Sequence, residues 1–206
     1  MRALAVAVFL ASTGLGGCAS LPDPHAHVAT GAPAAGASAP AGYAPYRFLV
    51  GEWNVGGEAG APVAVARFRW GPKESYLWYS VSTLEGGVER PHFEGMLLWN
   101  GARGNLDMLL ALDLAGGRIQ EQGVVFAEPD GTVVRDITAV YSPGVALPPR
   151  GEVRAGPAGA TLRFRQTFKA AGEGRILTAL TRRDAQGWVP TFPGSDRLVM
   201  TRRHAG

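Results

Sequence analysis

The alternation of apolar and polar residues predicts strands along most of the chain. From Ala160 to Lys169, alanine, leucine, phenylalanine and one glutamine occupy every second position, while threonine, arginine and lysine fall between them. This period of two is typical of an antiparallel strand with one buried face. Similar but less regular runs cover 48–56, 63–70, 75–84, 92–100, 106–114, 118–127, 132–141, 175–183 and 197–203.

Short glycine-rich turns separate these runs, as at Asn100-Gly101 and Gly116-Gly117, and no long segment shows helical periodicity with caps. Consecutive strands joined by tight turns imply an up-and-down antiparallel meander, and closure into a barrel removes its exposed edges. We therefore predict an all-β barrel of about ten strands over residues 44–203, followed by a short tail at 204–206.

The N-terminus predicts export. Arg2 precedes an apolar stretch at 3–10, and small residues lead to Cys18. This segment is too short to span a membrane and is typical of a signal peptide. Leu15-Gly16-Gly17-Cys18 resembles the lipobox of bacterial lipoproteins. The resemblance implies cleavage after residue 17 and anchoring in the membrane by acyl chains on Cys18. In Gram-negative bacteria, Ala19 after the cysteine favours a periplasm-facing position on the outer membrane. A conventional signal peptide with a chance cysteine is the alternative.

Residues 18–43 are mostly alanine, glycine, proline and serine, which predicts a flexible, disordered tether. His25 and His27 lie in it, but a mobile segment preorganises no metal site, so no metal is predicted. Cys18 is the only cysteine of the chain. A disulfide within the chain and Cys-ligated zinc are therefore excluded, and an acylated Cys18 would leave no free thiol for catalysis.

Composition and charge add little about partners. The 29 glycines and 15 prolines are about a fifth of the 206 residues, against an average of roughly 12%, and the predicted tether and turns account for much of the excess. The net charge is +3, and the arginines are dispersed with no run longer than two. Binding to nucleic acid is not predicted.

The first predicted strand carries a second resemblance. Phe48-Leu49-Val50-Gly51-Glu52-Trp53 is similar to the F-L-x-G-x-W opening of the calycins, which include lipocalins, fatty-acid-binding proteins and uncharacterised lipocalin-like bacterial families. The resemblance implies that Gly51 permits a tight turn and that Trp53 lies across the barrel floor. It also implies that a basic residue of the last strand, Arg202 or Arg203, stacks on Trp53. These four residues would close the barrel rather than contact a ligand.

Polar residues within strands are the candidates for ligand binding. A polar side chain inside a barrel is costly unless it is hydrogen-bonded, so it is either paired or faces a ligand. The alternation of its strand assigns Gln166 to the interior face more clearly than it does for any other candidate. Gln166 is either a ligand contact or a core amide whose hydrogen bonds are satisfied. The parity of Glu94, Glu121 and Asp136 can be reversed, which would place them in water. His92, which shares a strand face with Glu94, either lines a cavity or is solvated or structural.

Trp188 and Phe192 belong to an apolar connection before the last predicted strand, which either plugs one barrel end or forms a lid. No catalytic motif or cofactor fingerprint is present, and a haem would need His92 as its ligand. We expect a barrel that binds a small, largely apolar molecule without a cofactor. The alternatives are a filled barrel that acts as a structural or protein-interaction module, and a hydrolase built on Glu94, Glu121 and His92.

Overall fold

The computed structural model describes residues 41–57, 60–114, 117–148 and 153–203, and almost all of its regular structure is β. Short 3₁₀ helices cover Ala41–Leu49 and Pro72–Glu74. The strands are β1 Gly51–Gly56, β2 Ala64–Trp70, β3 Leu77–Glu85, β4 Val88–Asn100, β5 Asn105–Leu114, β6 Gly117–Ala127, β7 Val133–Tyr141, β8 Ala160–Ala170, β9 Arg175–Asp184, β10 Gly187–Pro190 and β11 Leu198–Arg202. Within these ranges, no helix has the length and apolar character that a membrane crossing requires.

Ten of these strands form a closed antiparallel barrel. Each strand from β1 to β9 pairs with the next, and β11 lies between β9 and β1. Closure pairs Trp53 of β1 with Arg202 of β11, and Met200 of β11 with Ile176 of β9. The predicted all-β meander and its closure into a ten-stranded barrel are therefore confirmed.

Two segments differ from the predicted strand pattern. Residues 187–190, predicted as an apolar connection, form the short strand β10, which pairs with residues 181–184 of β9, beyond the residues that pair with β11. Four residues that include Pro190 are too few for a periodic signal. Phe48 and Leu49, predicted as strand, lie in the first helix, and β1 begins at Gly51, whose φ of 138° is open to glycine but strained for other residues.

The helix Ala41–Leu49 lies across one end of the barrel, which we call the helix end. The Tyr43 hydroxyl accepts a hydrogen bond from the Trp99 backbone N–H at 2.8 Å and donates to the Ser75 carbonyl at 3.1 Å. The folded part thus includes residues 41–43, which were predicted to belong to the tether. The opposite end, where β7 ends and β8 begins, is called the loop end.

Large apolar side chains fill the barrel interior beneath the helix. These residues are no more than 2% exposed and include Tyr46, Trp53, Phe68, Leu77, Leu97, Leu106 and Phe168. Burying each such side chain contributes roughly 1.5–3 kcal/mol to folding. This half of the barrel is therefore a packed core.

Candidate ligand-binding site

A buried arginine occupies the middle of the barrel. Arg135 projects inward from β7 between Val133 and Ile137, and it is only 3% exposed. Its Nη2 donates to Glu121 Oε2 on β6 at 3.0 Å, and its Nη1 donates to Gln166 Oε1 on β8. These three residues form the centre of a polar cluster that crosses the interior.

Two further contacts complete the surroundings of the guanidinium group. Arg135 Nε lies 3.2 Å from the Met108 sulfur, and its guanidinium carbon lies 4.6 Å from the centre of the Tyr79 ring. Gln166 Nε2 donates to Thr178 Oγ1 at 3.4 Å. We call Arg135, Glu121, Gln166, Tyr79 and Thr178 the central cluster.

Burial controls the charges of this cluster. Desolvation raises the pKa of Glu121, and the adjacent Arg135 guanidinium only partly offsets that effect. Burial likewise raises the pKa of the Tyr79 hydroxyl, as it does for Tyr141, where the nearby Glu121 charge adds to the effect. Removing one partner of a buried ion pair typically costs about 3–5 kcal/mol, because the other charge is left uncompensated. Arg135 and Glu121 therefore depend on each other.

On the loop-end side of the central cluster, inward-facing residues of β5, β6 and β7 such as Leu112, Ile119 and Tyr141 are buried, but four on β3, β4, β8 and β9 are only half-buried. These four are Val81, Phe93, Leu162 and Leu180, and all of them contact the core. Their inward direction follows from the register, which pairs Val81 with Phe93, and Leu180 with Gln166. The loop end thus has a packed side, formed by β5 to β7, and a partly exposed apolar wall, formed by β3, β4, β8 and β9.

Two buried polar atoms near this wall lack a hydrogen-bond partner within the described part of the chain. They are Arg182 Nε and Thr191 Oγ1. Thr191 lies beside Leu180, because its backbone N–H donates to the Leu180 carbonyl at 3.2 Å. Arg182 follows on the same strand and pairs with the core residue Phe164. Such atoms are normally satisfied by water or by a ligand.

The structure brings together two of the predicted ligand-binding residues and separates the others. Glu121 and Gln166 share the central cluster, and both ends of the Gln166 amide are engaged there. Asp136 lies on the outer face, where it contacts Arg163 and Arg165, and Glu94 is also exposed. Glu94 and Glu121 therefore lie on opposite faces of the barrel wall and do not form a carboxylate pair.

His92 lies at an irregularity in the pairing of β3 with β4. Val81 pairs with Phe93 but Ser82 pairs with Pro91, so that His92 is the extra residue of a bulge. Its ring meets the Phe93 ring edge to face at 4.6 Å, and burial lowers its pKa. His92 is therefore positioned at the rim of the apolar wall, outside the central cluster.

The four predicted barrel-closure residues lie at the helix end. The Arg202 guanidinium carbon is 4.5 Å from the centre of the Trp53 ring, and Trp53 Nε1 donates to the Leu49 carbonyl at 2.7 Å. A side chain at Gly51 would collide with the Arg202 guanidinium. Arg203 points elsewhere, with its side chain bonded to Glu89.

Trp188, predicted as a plug or a lid, lies on the outer face of the wall. Its ring is 4.8 Å from the Arg165 guanidinium carbon and 5.8 Å from that of Arg183. Phe192 follows β10 and is 36% exposed, and its backbone N–H donates to the Ser195 hydroxyl. The contacts of these two aromatic residues are therefore with the outer surface and the final connection.

No protein-family model, curated protein or solved structure matches this chain. Within the described residues no group of three or more histidine, cysteine, aspartate or glutamate side chains could hold a metal ion. Cys18 and the rest of residues 1–40, with the predicted signal peptide and most of the tether, lie outside the described residues, as does the predicted tail at 204–206.

The sequence interpretation missed Arg135, the residue on which the central cluster depends. It selected the neighbouring Asp136, which lies between Val134 and Thr138. The signal was present at the alternate positions of the same strand. There Arg135 interrupts an otherwise apolar series formed by Val133, Ile137, Ala139 and Tyr141. Contact with Tyr79 and Thr178 carries no such local signal, since these residues come from distant strands.

Proposed function

We propose that the chain binds a small, largely apolar molecule inside the loop end of the barrel, above the central cluster. The observation that supports this function is the half-buried apolar wall that β3, β4, β8 and β9 form on one side of the loop end. Trp53, Phe68 and Leu97 beneath the helix are at most 2% exposed, whereas the inward-facing Leu162 and Leu180 remain half-buried. Barrels of this strand number are wide enough to enclose one small ligand.

The polar groups around this wall define the ligand further. Arg135 and Glu121 are already paired, so they form a fixed polar floor rather than a free charge. Arg182 Nε and Thr191 Oγ1 remain without partners within the described residues. A ligand with a mainly apolar body and one polar oxygen would cover Leu162 and Leu180 and satisfy these atoms.

The test fills the proposed site and compares it with the outer face. Leu162→Trp adds bulk to the inner wall, while Thr161→Trp adds the same side chain at the next residue, which is exposed. Full-length protein and both variants are examined by native mass spectrometry and by titration with a panel of fluorescent fatty acids and alcohols. We expect saturable binding in the wild type and in Thr161→Trp, and at least a tenfold loss in Leu162→Trp.

The absence of any co-purifying ligand, together with no saturable binding in the panel, would reject this function. Equal binding by both tryptophan variants would place the ligand outside the barrel. Circular dichroism and thermal melting of each variant distinguish loss of binding from loss of folding.

We also propose that the barrel is exported and anchored through Cys18, as its lipobox resemblance implies. A Cys18→Ser variant should leave the membrane fraction, and the wild-type protein should carry the mass of its acyl chains. Retention of the variant in membranes would contradict the anchor. This result is independent of the ligand titration.

A second candidate function is a protein-interaction module, which the outer face of β4 and β5 favours. Met96 pairs with Leu109 there, with Leu98 beside them, and these side chains are 41%, 48% and 51% exposed. Contiguous exposed apolar surface is typical of interaction sites. If this function holds, Leu98→Lys with Leu109→Lys should abolish recovery of a specific partner in reciprocal pull-downs while leaving the ligand titration unchanged.

A further inference from the structure

We infer that the outer face of β8, β9 and β10 binds a phosphate monoester group. The site is formed by Arg163, Arg165, Arg183 and Trp188, which we call the arginine patch. It lies on the opposite side of the barrel wall from the proposed ligand site and does not depend on it.

The strand register assembles the patch from residues that are dispersed in the sequence. Phe164 of β8 pairs with Arg182 of β9. The adjacent residues, Arg163 and Arg183, therefore lie opposite each other on the outer face. Trp188 of β10 pairs with Arg183. The side chains of Arg163 and Arg165 are 54% and 40% exposed, and Arg183 is also exposed. Three cations are thus brought together at the surface.

The patch has an excess of positive charge. Asp136 accepts one bond from Arg163 at 3.2 Å and one from Arg165 at 3.3 Å, and Arg183 has no acidic partner among the described residues. Three guanidinium groups and one carboxylate leave two positive charges uncompensated. Like charges on neighbouring strands are destabilising, so such a grouping is expected where an anion neutralises it. A phosphate monoester carries about −1.5 to −2 charges at pH 7, whereas a carboxylate carries one.

The hydrogen-bonding capacity of the patch leads to the same class of ligand. Arg165 Nε is buried and has no hydrogen-bond partner within the described part of the chain. Each guanidinium group has five N–H donors, and Asp136 occupies only a few of them. A phosphate monoester offers three strong acceptor oxygens, and guanidinium groups bind such oxygens in pairs.

Trp188 holds two of the arginines in place. Its ring lies 4.8 Å from Arg165 and 5.8 Å from Arg183, so the two guanidinium groups are held next to the same indole. Stacking on an aromatic ring limits the motion of an arginine side chain, which reduces the entropy lost when an anion binds. The indole also contributes to the fluorescence of the protein, as one of five tryptophans in the chain.

The experiment titrates the full chain, carrying Cys18→Ser so that no acyl chain is attached, with glycerol 3-phosphate at constant ionic strength. Calorimetry and tryptophan fluorescence follow binding. We expect saturable binding that is absent with acetate, and Arg165→Gln and Arg183→Gln should each weaken it by about tenfold or more, because each removes charge-assisted hydrogen bonds. Arg90→Gln is the matched control, since Arg90 is 64% exposed and lies on β4.

A further arm separates the two sources of the phosphate group. Vesicles of phosphatidylcholine with and without phosphatidic acid are floated with the same variants. Patch-dependent binding to phosphatidic acid but not to glycerol 3-phosphate identifies a lipid headgroup, and binding to both identifies the phosphate group alone. Equal responses of Arg165→Gln, Arg183→Gln and Arg90→Gln in both arms would overturn the inference, as would an equal response to acetate.

Discussion

Burial and the pairing with Arg135 shift the pKa of Glu121 in opposite directions. Its carboxylate lies 3.0 Å from the Arg135 guanidinium, which favours the charged form, but desolvation is the larger effect and raises its pKa above the ordinary value of 4.5. The folded protein therefore binds a proton at this position more tightly than the unfolded chain does. The resulting stability is present below pH 4.5 and is lost as the pH rises through the folded-state pKa.

This effect can be isolated with Glu121→Gln. The free energy of unfolding of the wild type minus that of the variant should fall as the pH is raised from 4.5, by about 1.4 kcal/mol for each unit of pKa difference between the two states. Denaturation in urea from pH 4 to 8 measures it. Arginine partners lower the pKa values of Glu52 and Glu89, which act in the opposite direction, but their effects cancel in the difference. A difference that rises with pH would contradict the assignment.

Arg202 and Arg203 are adjacent but differ in what they stabilise. Arg202 lies over Trp53, which is 2% exposed, and its Nη2 donates to the Val50 carbonyl at 3.3 Å. Arg203 forms a side-chain ion pair with Glu89 near the surface. We expect Arg202→Ala to lower the free energy of unfolding by about 1–2 kcal/mol and Arg203→Ala by less than about 1 kcal/mol. Equal losses in urea denaturation would show that the contact with Trp53 contributes nothing specific.

The helix Ala41–Leu49 is held by its tyrosines rather than by its own propensity. A nine-residue 3₁₀ helix with Pro45 inside it is unstable alone, but Tyr43 and Tyr46 are at most 1% exposed. The Tyr43 hydroxyl satisfies the Trp99 backbone N–H, and the Tyr46 hydroxyl donates to the Val125 carbonyl. The helix is therefore part of the core of the helix end.

Tyr43→Phe tests this attachment. The substitution leaves the Trp99 N–H without its acceptor, so the free energy of unfolding should fall by about 1–3 kcal/mol. Hydrogen exchange should show faster opening of residues 41–49 than in the wild type. Tyr76→Phe is the matched control, because the Tyr76 side chain is only half-buried. Equal exchange in both variants would show that the hydroxyl does not hold the helix.

The connection between β10 and β11 illustrates why part of this structure was predictable and part was not. Pro193-Gly194-Ser195-Asp196 has the composition of a turn, and the chain does turn there. However, Ser195 is fully buried, and its hydroxyl donates to the Leu180 carbonyl at 2.7 Å. Local composition predicts a turn. The burial of Ser195, however, depends on its contact with Leu180 of β9, which lies 15 residues earlier in the chain.

At the scale of the whole molecule, the period of two predicted the strands, and the tight turns between them predicted a meander that closes into a barrel. The alternation in 160–169 predicted which residues of β8 face the interior, and glycine-rich turn sequences predicted the positions of most hairpins. The central cluster was only half predictable, because parity gave Gln166 but left Glu121 and Arg135 ambiguous. Which polar residues meet inside a barrel depends on the stagger of several strands, and no local pattern contains that information.

Closure makes the last strand essential to the whole barrel. A chain that ends at Phe192 lacks β11, which leaves the edges of β1 and β9 unpaired. Exposed strand edges promote association, so this chain should aggregate, as measured by its soluble fraction and by size-exclusion chromatography. A chain that ends at Arg203 keeps β11 and should stay soluble and elute as the full chain does. A soluble, folded product ending at Phe192 would show that β11 is dispensable.

Along one edge, β9 pairs with β11 at residues 175–178 and with β10 at residues 181–184. This arrangement affects how the barrel responds to force. Only four residue pairs join β11 to β9 and four join it to β1, whereas nine pairs join β7 to β8. A force applied at the two termini would act on this narrow seam and separate its hydrogen bonds one after another rather than all together. The barrel should therefore yield by peeling along β11 while the wall from β2 to β8 stays intact.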